Sequence, residues 1–213
     1  MYKGVLFICI VVLSGIFWKY SDIPAIDDAV AIKIADVSTA SGRSLFLSAK
    51  KQIWVVNTYD HGNGYYGNGG YPPDDTWVCT DVIWRTYRDM WIDLKAKIDT
   101  DMRKNTTAYS SKFDSNINFR RVKNQKAYFS RTAKSLTTNM IPNDVKNLTL
   151  WQAWDIIIFD ELPTSHLMRI GIITDIRRKD GVPYMIDNHG YGTNIKITPL
   201  DWPTKIVWHF QIF

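Results

Sequence analysis

Thiols and imidazoles, the groups of cysteine chemistry, are few in this sequence: two cysteines and four histidines stand among 213 residues. Cys9 lies in an apolar run near the N-terminus, and Cys79 lies in PPDDTWVCTDVIWRTYRDM, Pro72 to Met90. A thiolate is the nucleophilic form of cysteine, and at a free pKa of about 8.5 only a few per cent of it exists at neutral pH. The unpaired N–H groups and the macrodipole of a helix N-terminus favour the anion. Cys79, Val82, Ile83, Thr86, Met90 and Leu94 recur at spacings of three and four, the pattern of one helix face. With Asp75 or Thr76 as N-cap, Cys79 falls in the first turn on the buried stripe. Its own N–H can there contribute to an oxyanion hole. The same position also suits a small buried apolar side chain.

A cysteine enzyme needs an imidazole and a third polar group that orients it. The histidines are His61, His166, His189 and His209. His166 precedes the run RIGIIT. His189 ends the run PYMIDNH, on the same side as Asp187 if the strand is regular. His61 lies in a glycine-rich stretch, and His209 lies within an apolar strand, where a core role fits. A cysteine on a helix, then a histidine on one strand and a polar residue on the next, is a papain-like order.

These groups need elements to hold them. Ser21–Ile34 and Ser44–Val56 carry helical spacing. Between them and Cys79 runs NTYDHGNGYYGNGGYPPDD, residues 57–75, a long loop of Gly, Tyr, Asn and Pro; loops of that length in compact domains are usually functional or mobile. A further helix is expected within Phe113–Thr132. The last third changes character: Asp155–Phe159, Arg169–Thr174, Pro183–Asp187 and Lys205–Ile212 are β-rich, and Asp180-Gly181 is a hairpin signal. Helices first and an antiparallel sheet after give an α+β fold.

Gly4 to Trp18, GVLFICIVVLSGIFW, is flanked by Lys3 and Lys19. This reads as a secretory signal or a short membrane anchor over residues 1–20, with one domain over 21–213. Export to the periplasm or cell envelope is the expected location. After that segment one thiol remains, so no intrachain disulfide can form, and an unpaired thiol in an exported chain is a candidate for reactivity. The net charge of +5 suits anionic partners, but the basic residues are dispersed in short groups such as Arg120-Arg121 and Arg177-Arg178-Lys179, and no nucleic-acid motif accompanies them. No H-E-x-x-H and no paired cysteines suggest a metal. GNGYYGNGG lacks the lysine and strand-to-helix context of a phosphate loop. No metal or cofactor is expected.

The segments TYD (58–60), YPPDDTWVCTDVIWR (71–85), DMRKNTTAY (101–109), NINFRRVKN (116–124), WDIIIF (154–159), IGIITD (170–175) and IDNHGYG (186–192) resemble, in the same order, the DUF1287 family. That family comprises bacterial exported proteins grouped with the NlpC/P60 and papain-like cysteine peptidases. The resemblance runs from about Ala49 to the C-terminus. It implies a papain-like α+β fold, N-terminal helices packed on a C-terminal antiparallel sheet. By analogy it also implies hydrolysis of peptide or amide bonds in peptidoglycan.

Cys79 matches the family's cysteine. The next position departs. The family resembles L-P-H-I-G-I-V-S-D, whereas this chain reads LPTSHLMRIGIITD, with Arg169 in the histidine slot. A guanidinium stays protonated and is no general base. The family's I-H-N-I-G corresponds to Ile186-Asp187-Asn188-His189-Gly190. Three readings follow. In the first, Cys79, His166 and Asp187 form a displaced triad in a cysteine hydrolase. In the second, the triad is broken and the protein binds a carboxylate-bearing cell-wall peptide or a protein partner through Arg169, Asp187 and the aromatic loop (Tyr65, Tyr66, Tyr71, Trp77). In the third, another imidazole such as His189 serves, or the chemistry is acyl transfer to an amine in place of water, and Arg169 beside the thiol itself favours the thiolate. Asn188 and Asp81 complete the candidate substrate-contacting set.

Overall fold

The computed structural model describes residues 39–55, 58–59, 66–67, 69–163, 168–190 and 192–212. The apolar segment at residues 4–18 and the expected helix at 21–34 lie outside them. The Thr39 hydroxyl accepts from the Gly42 N–H at 3.0 Å and caps helix α1, Ala40–Lys50. The helix expected over Ser44–Val56 is therefore displaced toward the N-terminus. After Lys50 the chain turns, and Trp54 takes a left-handed φ of 62° while its N–H donates to the Thr193 carbonyl at 2.9 Å.

Within the long loop, strand β1, Thr58–Tyr59, pairs in parallel with β2, Thr76–Trp77. Gly70 has φ 66°, and a Cβ there would run into the Asn116 carbonyl. Only glycine lets the loop lie so close to that backbone.

Helix α2 spans Cys79–Asp89. The stripe expected to run on to Leu94 is broken at Trp91, which sits at φ 61°. The Asp93 side chain then accepts from the Ala96 N–H at 2.9 Å and opens a second helix, α3, Leu94–Lys104. Both pieces feed one core, since Val82, Ile83, Leu94 and Ile98 are all buried in it; a local cap overrides a periodicity that spans two helices. Of the helix expected within Phe113–Thr132, a 3-10 turn at Asn118–Arg120 and α4, Val122–Thr132, are present.

After α4 come β3 (Lys134–Ser135), the short α5 (Val145–Leu148), β4 (Ile156–Phe159), β5 (Arg169–Arg177), β6 (Pro183–Asn188), β7 (Thr193–Asn194) and β8 (Ile206–Gln211). They form a six-stranded sheet in the order β3-β8-β4-β5-β6-β7, antiparallel at every pairing. Gly181, at φ 82°, turns β5 into β6, as the Asp-Gly pair foretold. Strand alternation splits the sheet's side chains between two cores. Ile156, Ile158, Ile170, Ile172 and Ile186 pack with the helices. Ile157, Phe159, Ile173 and Met185 pack with Leu148 and Trp151 on the opposite face. The fold is α+β, helices leading and antiparallel sheet following. Among the described residues no helix is long and apolar enough to cross a membrane.

Candidate active site

Cys79 is the first residue of α2 and only 4% exposed. The N-cap is Val78, not Asp75 or Thr76, because Thr76 and Trp77 are drawn into β2. Valine has no capping oxygen, and Asp81 supplies one from inside the helix. Its carboxylate accepts from the Val78 N–H at 2.8 Å, while its own N–H donates to the Val78 carbonyl at 3.0 Å. This is the N3 half of a capping box. The same carboxylate accepts from Arg120 Nε at 2.6 Å and Nη2 at 2.7 Å. The Thr80 hydroxyl donates to the Arg120 carbonyl at 2.9 Å, and the Gln125 amide donates to the Thr80 carbonyl at 3.1 Å. Asp81, expected among the substrate-contacting residues, is 0% exposed. It belongs to the frame that holds the cysteine turn.

The start of β5 faces that turn. The Arg169 guanidinium donates to the Tyr59 hydroxyl and lies 5.1 Å from the Tyr59 ring centre, and its charge acts on the Cys79 thiol. The Ile170 N–H, next along the strand, also favours the thiolate. The end of β6 brings Asp187, which is buried, and His189, whose Nδ1 lies 2.9 and 3.1 Å from the two Asp187 oxygens. The Asn188 amide donates to the Trp77 carbonyl at 3.2 Å, tying β6 to the residue before the N-cap. The structure thus gathers Cys79, Arg169, Asp187 and Asn188 around the N-terminus of α2, and holds His189 between Asp187 and the edge of Trp202, 5.6 Å between ring centres.

Two aromatic candidates take other places. Trp77 is buried, with the Arg85 guanidinium 4.2 Å from its ring centre. Tyr71 is half exposed and packs on Trp84 and Phe119, at ring-centre distances of 5.5 and 5.9 Å. His166, Tyr65 and His61 lie outside the described residues. His209 is a core histidine, as its apolar strand suggested: one ring nitrogen is 2.8 Å from an Asp155 oxygen, the other is 2.8 Å from the Thr137 carbonyl, and the ring stacks on Trp151 at 4.0 Å.

The electrostatics of the thiol are a contest. Burial pushes the Cys79 pKa up, and nearby Asp187 adds to this; Arg169 and the Ile170 N–H pull it down, and burial prevails. Burial also raises Tyr59, to about 12, so the phenol remains protonated beside the guanidinium. Asp187 is raised by its own burial, against the opposing pull of His189 and Arg169. At rest the site therefore holds a neutral thiol, with the Arg169 charge and the Ile170 N–H as the influences that favour its anion. Any process that removes the proton leaves an anion whose partners are in place.

Three members of this arrangement escaped the sequence reading. Tyr59 stands in the quoted TYD, yet nothing in its spacing says that it meets Arg169, 110 positions away. Arg120, in NINFRRVKN, carries no periodicity signal for its pairing with Asp81. The Ile170 N–H is a backbone donor at a strand start, which no side-chain pattern reveals.

Residues 46–212 match a family described as Domain of unknown function (DUF1287). The Uncharacterized protein YijF of Escherichia coli (strain K12) is similar, at 34% identity over 150 residues, which is 68% of this chain and 68% of that protein. No solved structure matches. The matched span contains the whole of α2, the sheet and every residue gathered around Cys79, and the chain belongs to the DUF1287 family.

Proposed function

We propose that this protein is an exported cysteine hydrolase of papain-like, NlpC/P60-like architecture that acts through Cys79 on peptide or amide bonds of peptidoglycan. One observation carries the reading: a thiol at the first residue of a helix stands within reach of the charge of Arg169, at the start of β5, and of the Ile170 N–H, both of which favour its anion. Donors so arranged favour the thiolate over the thiol once the proton has somewhere to go. The sulfur attacks the carbonyl carbon, the C–N bond breaks, and water then cleaves the thioester. An imidazole takes the thiol proton and returns it to the leaving amine. His189, whose ring Asp187 holds, is one imidazole of the proposal, and Asp187 is the carboxylate that also influences Cys79. His166, three positions before Arg169, is the second imidazole of the proposal, with Asp187 as the orienting group of a displaced triad.

A second reading rests on a different observation. Cys79 is buried, its pKa is raised, and Arg169 stands where the family pattern puts histidine. Those features suit a relative that binds a carboxylate-bearing cell-wall peptide, or a protein partner, without cleaving it.

Incubation of the full chain with purified peptidoglycan, followed by chromatography of the released fragments, tests the proposal. Fragments produced by the wild type and abolished in Cys79→Ala support the hydrolase. His166→Ala and His189→Ala, run in parallel, assign the proton carrier. Absence of fragments with retained binding in both wild type and Cys79→Ala would leave the binding reading standing.

A further inference from the structure

Trp91 violates two preferences at once. It occupies the position just past the α2 C-cap at φ 61°, where the left-handed conformation favours glycine. It is also 97% exposed, although an aromatic side chain removes roughly 150–250 Å² from water when it packs. A bulky side chain set where the backbone prefers none, and left in solvent, points to contact with something outside the chain.

The surroundings identify the class of that contact. Met90 precedes Trp91 and lines, with Leu47 of α1, one shallow groove of about 530 Å³. Leu47 is itself 50% exposed. Around these apolar groups α1 and the end of α2 present the exposed cations Arg43, Lys50, Lys51 and Arg88. The nearby acids are Asp89, whose oxygen is 3.0 Å from Lys51 Nζ, and Asp93, which caps α3. Three apolar side chains within a basic border are too few to form the apolar centre of a stable protein interface of about 1,200–2,000 Å². They match the composition of an interfacial membrane contact, with tryptophan at headgroup depth and lysine and arginine beside it.

We infer that the Leu47–Met90–Trp91 corner, with Arg43, Lys50, Lys51 and Arg88, docks the domain on an anionic phospholipid surface. This is independent of the chemistry at Cys79.

The test uses the full chain and Trp91→Gly with vesicles of phosphatidylglycerol or of phosphatidylcholine, each carrying brominated acyl chains that quench tryptophan at contact. Glycine suits the left-handed position, so the substitution keeps the fold, and a thermal melt checks this. The quenching contributed by other tryptophans is common to both chains and cancels in the difference. The proposal expects a quenched component in phosphatidylglycerol that Trp91→Gly lacks, and that falls severalfold in phosphatidylcholine and in an Arg43→Glu/Lys50→Glu chain. Equal quenching of the wild type and Trp91→Gly would overturn it. So would a Trp91 component equally strong in phosphatidylcholine. Vesicle-free self-association of the wild type that Trp91→Gly abolishes, with no lipid quenching of Trp91, would overturn it in favour of a protein interface.

Discussion

Arg169, the first residue of β5, sets its positive charge beside Cys79, the first residue of α2. The cation is held from behind by Tyr59, whose strand β1 is zipped to β2, and β2 leads directly into the cysteine turn. One small ribbon therefore sets the position of both the nucleophile and its charge partner.

Replacement of Arg169 by Gln removes the largest influence that lowers the Cys79 pKa, so the remaining influences shift it further upward. Iodoacetamide alkylation of a Cys9→Ser full chain, followed against pH, reads this directly. The wild-type midpoint is expected above the ordinary value of about 8.5, and the Arg169→Gln midpoint above the wild type. A variant midpoint at or below the wild-type one would show that the guanidinium does not stabilise the thiolate.

Asp187 supplies a pH signature of stability. Its pKa is raised in the folded state, so the folded protein binds this proton more tightly than the unfolded chain, whose aspartate titrates near 3.9. The contribution is fully present below about pH 3.9 and is lost as pH rises through the folded value. The stability advantage of wild type over Asp187→Asn should therefore shrink from about pH 4 upward in a series of urea titrations. An advantage that grows over that range would mean that His189 and Arg169 outweigh burial.

The Asp81–Arg120 pair is almost wholly removed from water, with side-chain exposures of 0% and 1%. Arg120→Ala leaves a buried carboxylate without its main partner, a loss expected to be about 3–5 kcal/mol. It also loosens the cap at Val78, so Cys79 alkylation should speed up at fixed pH. Denaturant unfolding and alkylation on the same sample check both effects; a stability loss under about 1 kcal/mol would mean that water reaches the carboxylate.

Trp91→Gly should stabilise the fold, by about 0.5–1 kcal/mol, because glycine adopts the left-handed backbone without the steric penalty that a Cβ brings. Few substitutions of tryptophan by glycine are expected to raise a melting temperature, which makes calorimetry on this variant a sharp test. A fall of more than a degree or two would show that the indole packs against the domain.

Much of the scaffold was legible because it depends on local patterns. The isoleucine-rich runs at 156–158 and 170–173, the Asp180-Gly181 turn and the thiol near a helix start all follow from residues close together in the chain. The resemblance around VCTDVIWR also led to the family that the whole span bears out. Other features depended on groups that are distant in sequence. The single stripe from Cys79 to Leu94 is two helices because the Asp93 cap and the Trp91 turn intervene. Asp81 looked available for a substrate and is instead neutralised by Arg120, 39 positions on. Arg169 looked like a defect in a catalytic set, and the fold makes it the cation that favours the thiolate. The sequence by itself determined which side chains carry charge, sulfur and apolar surface, and at what period. Which of those groups meet, and whether a thiol sits in water or against a guanidinium, was decided by tertiary packing, because burial and through-space charge depend on distances that chain order does not encode.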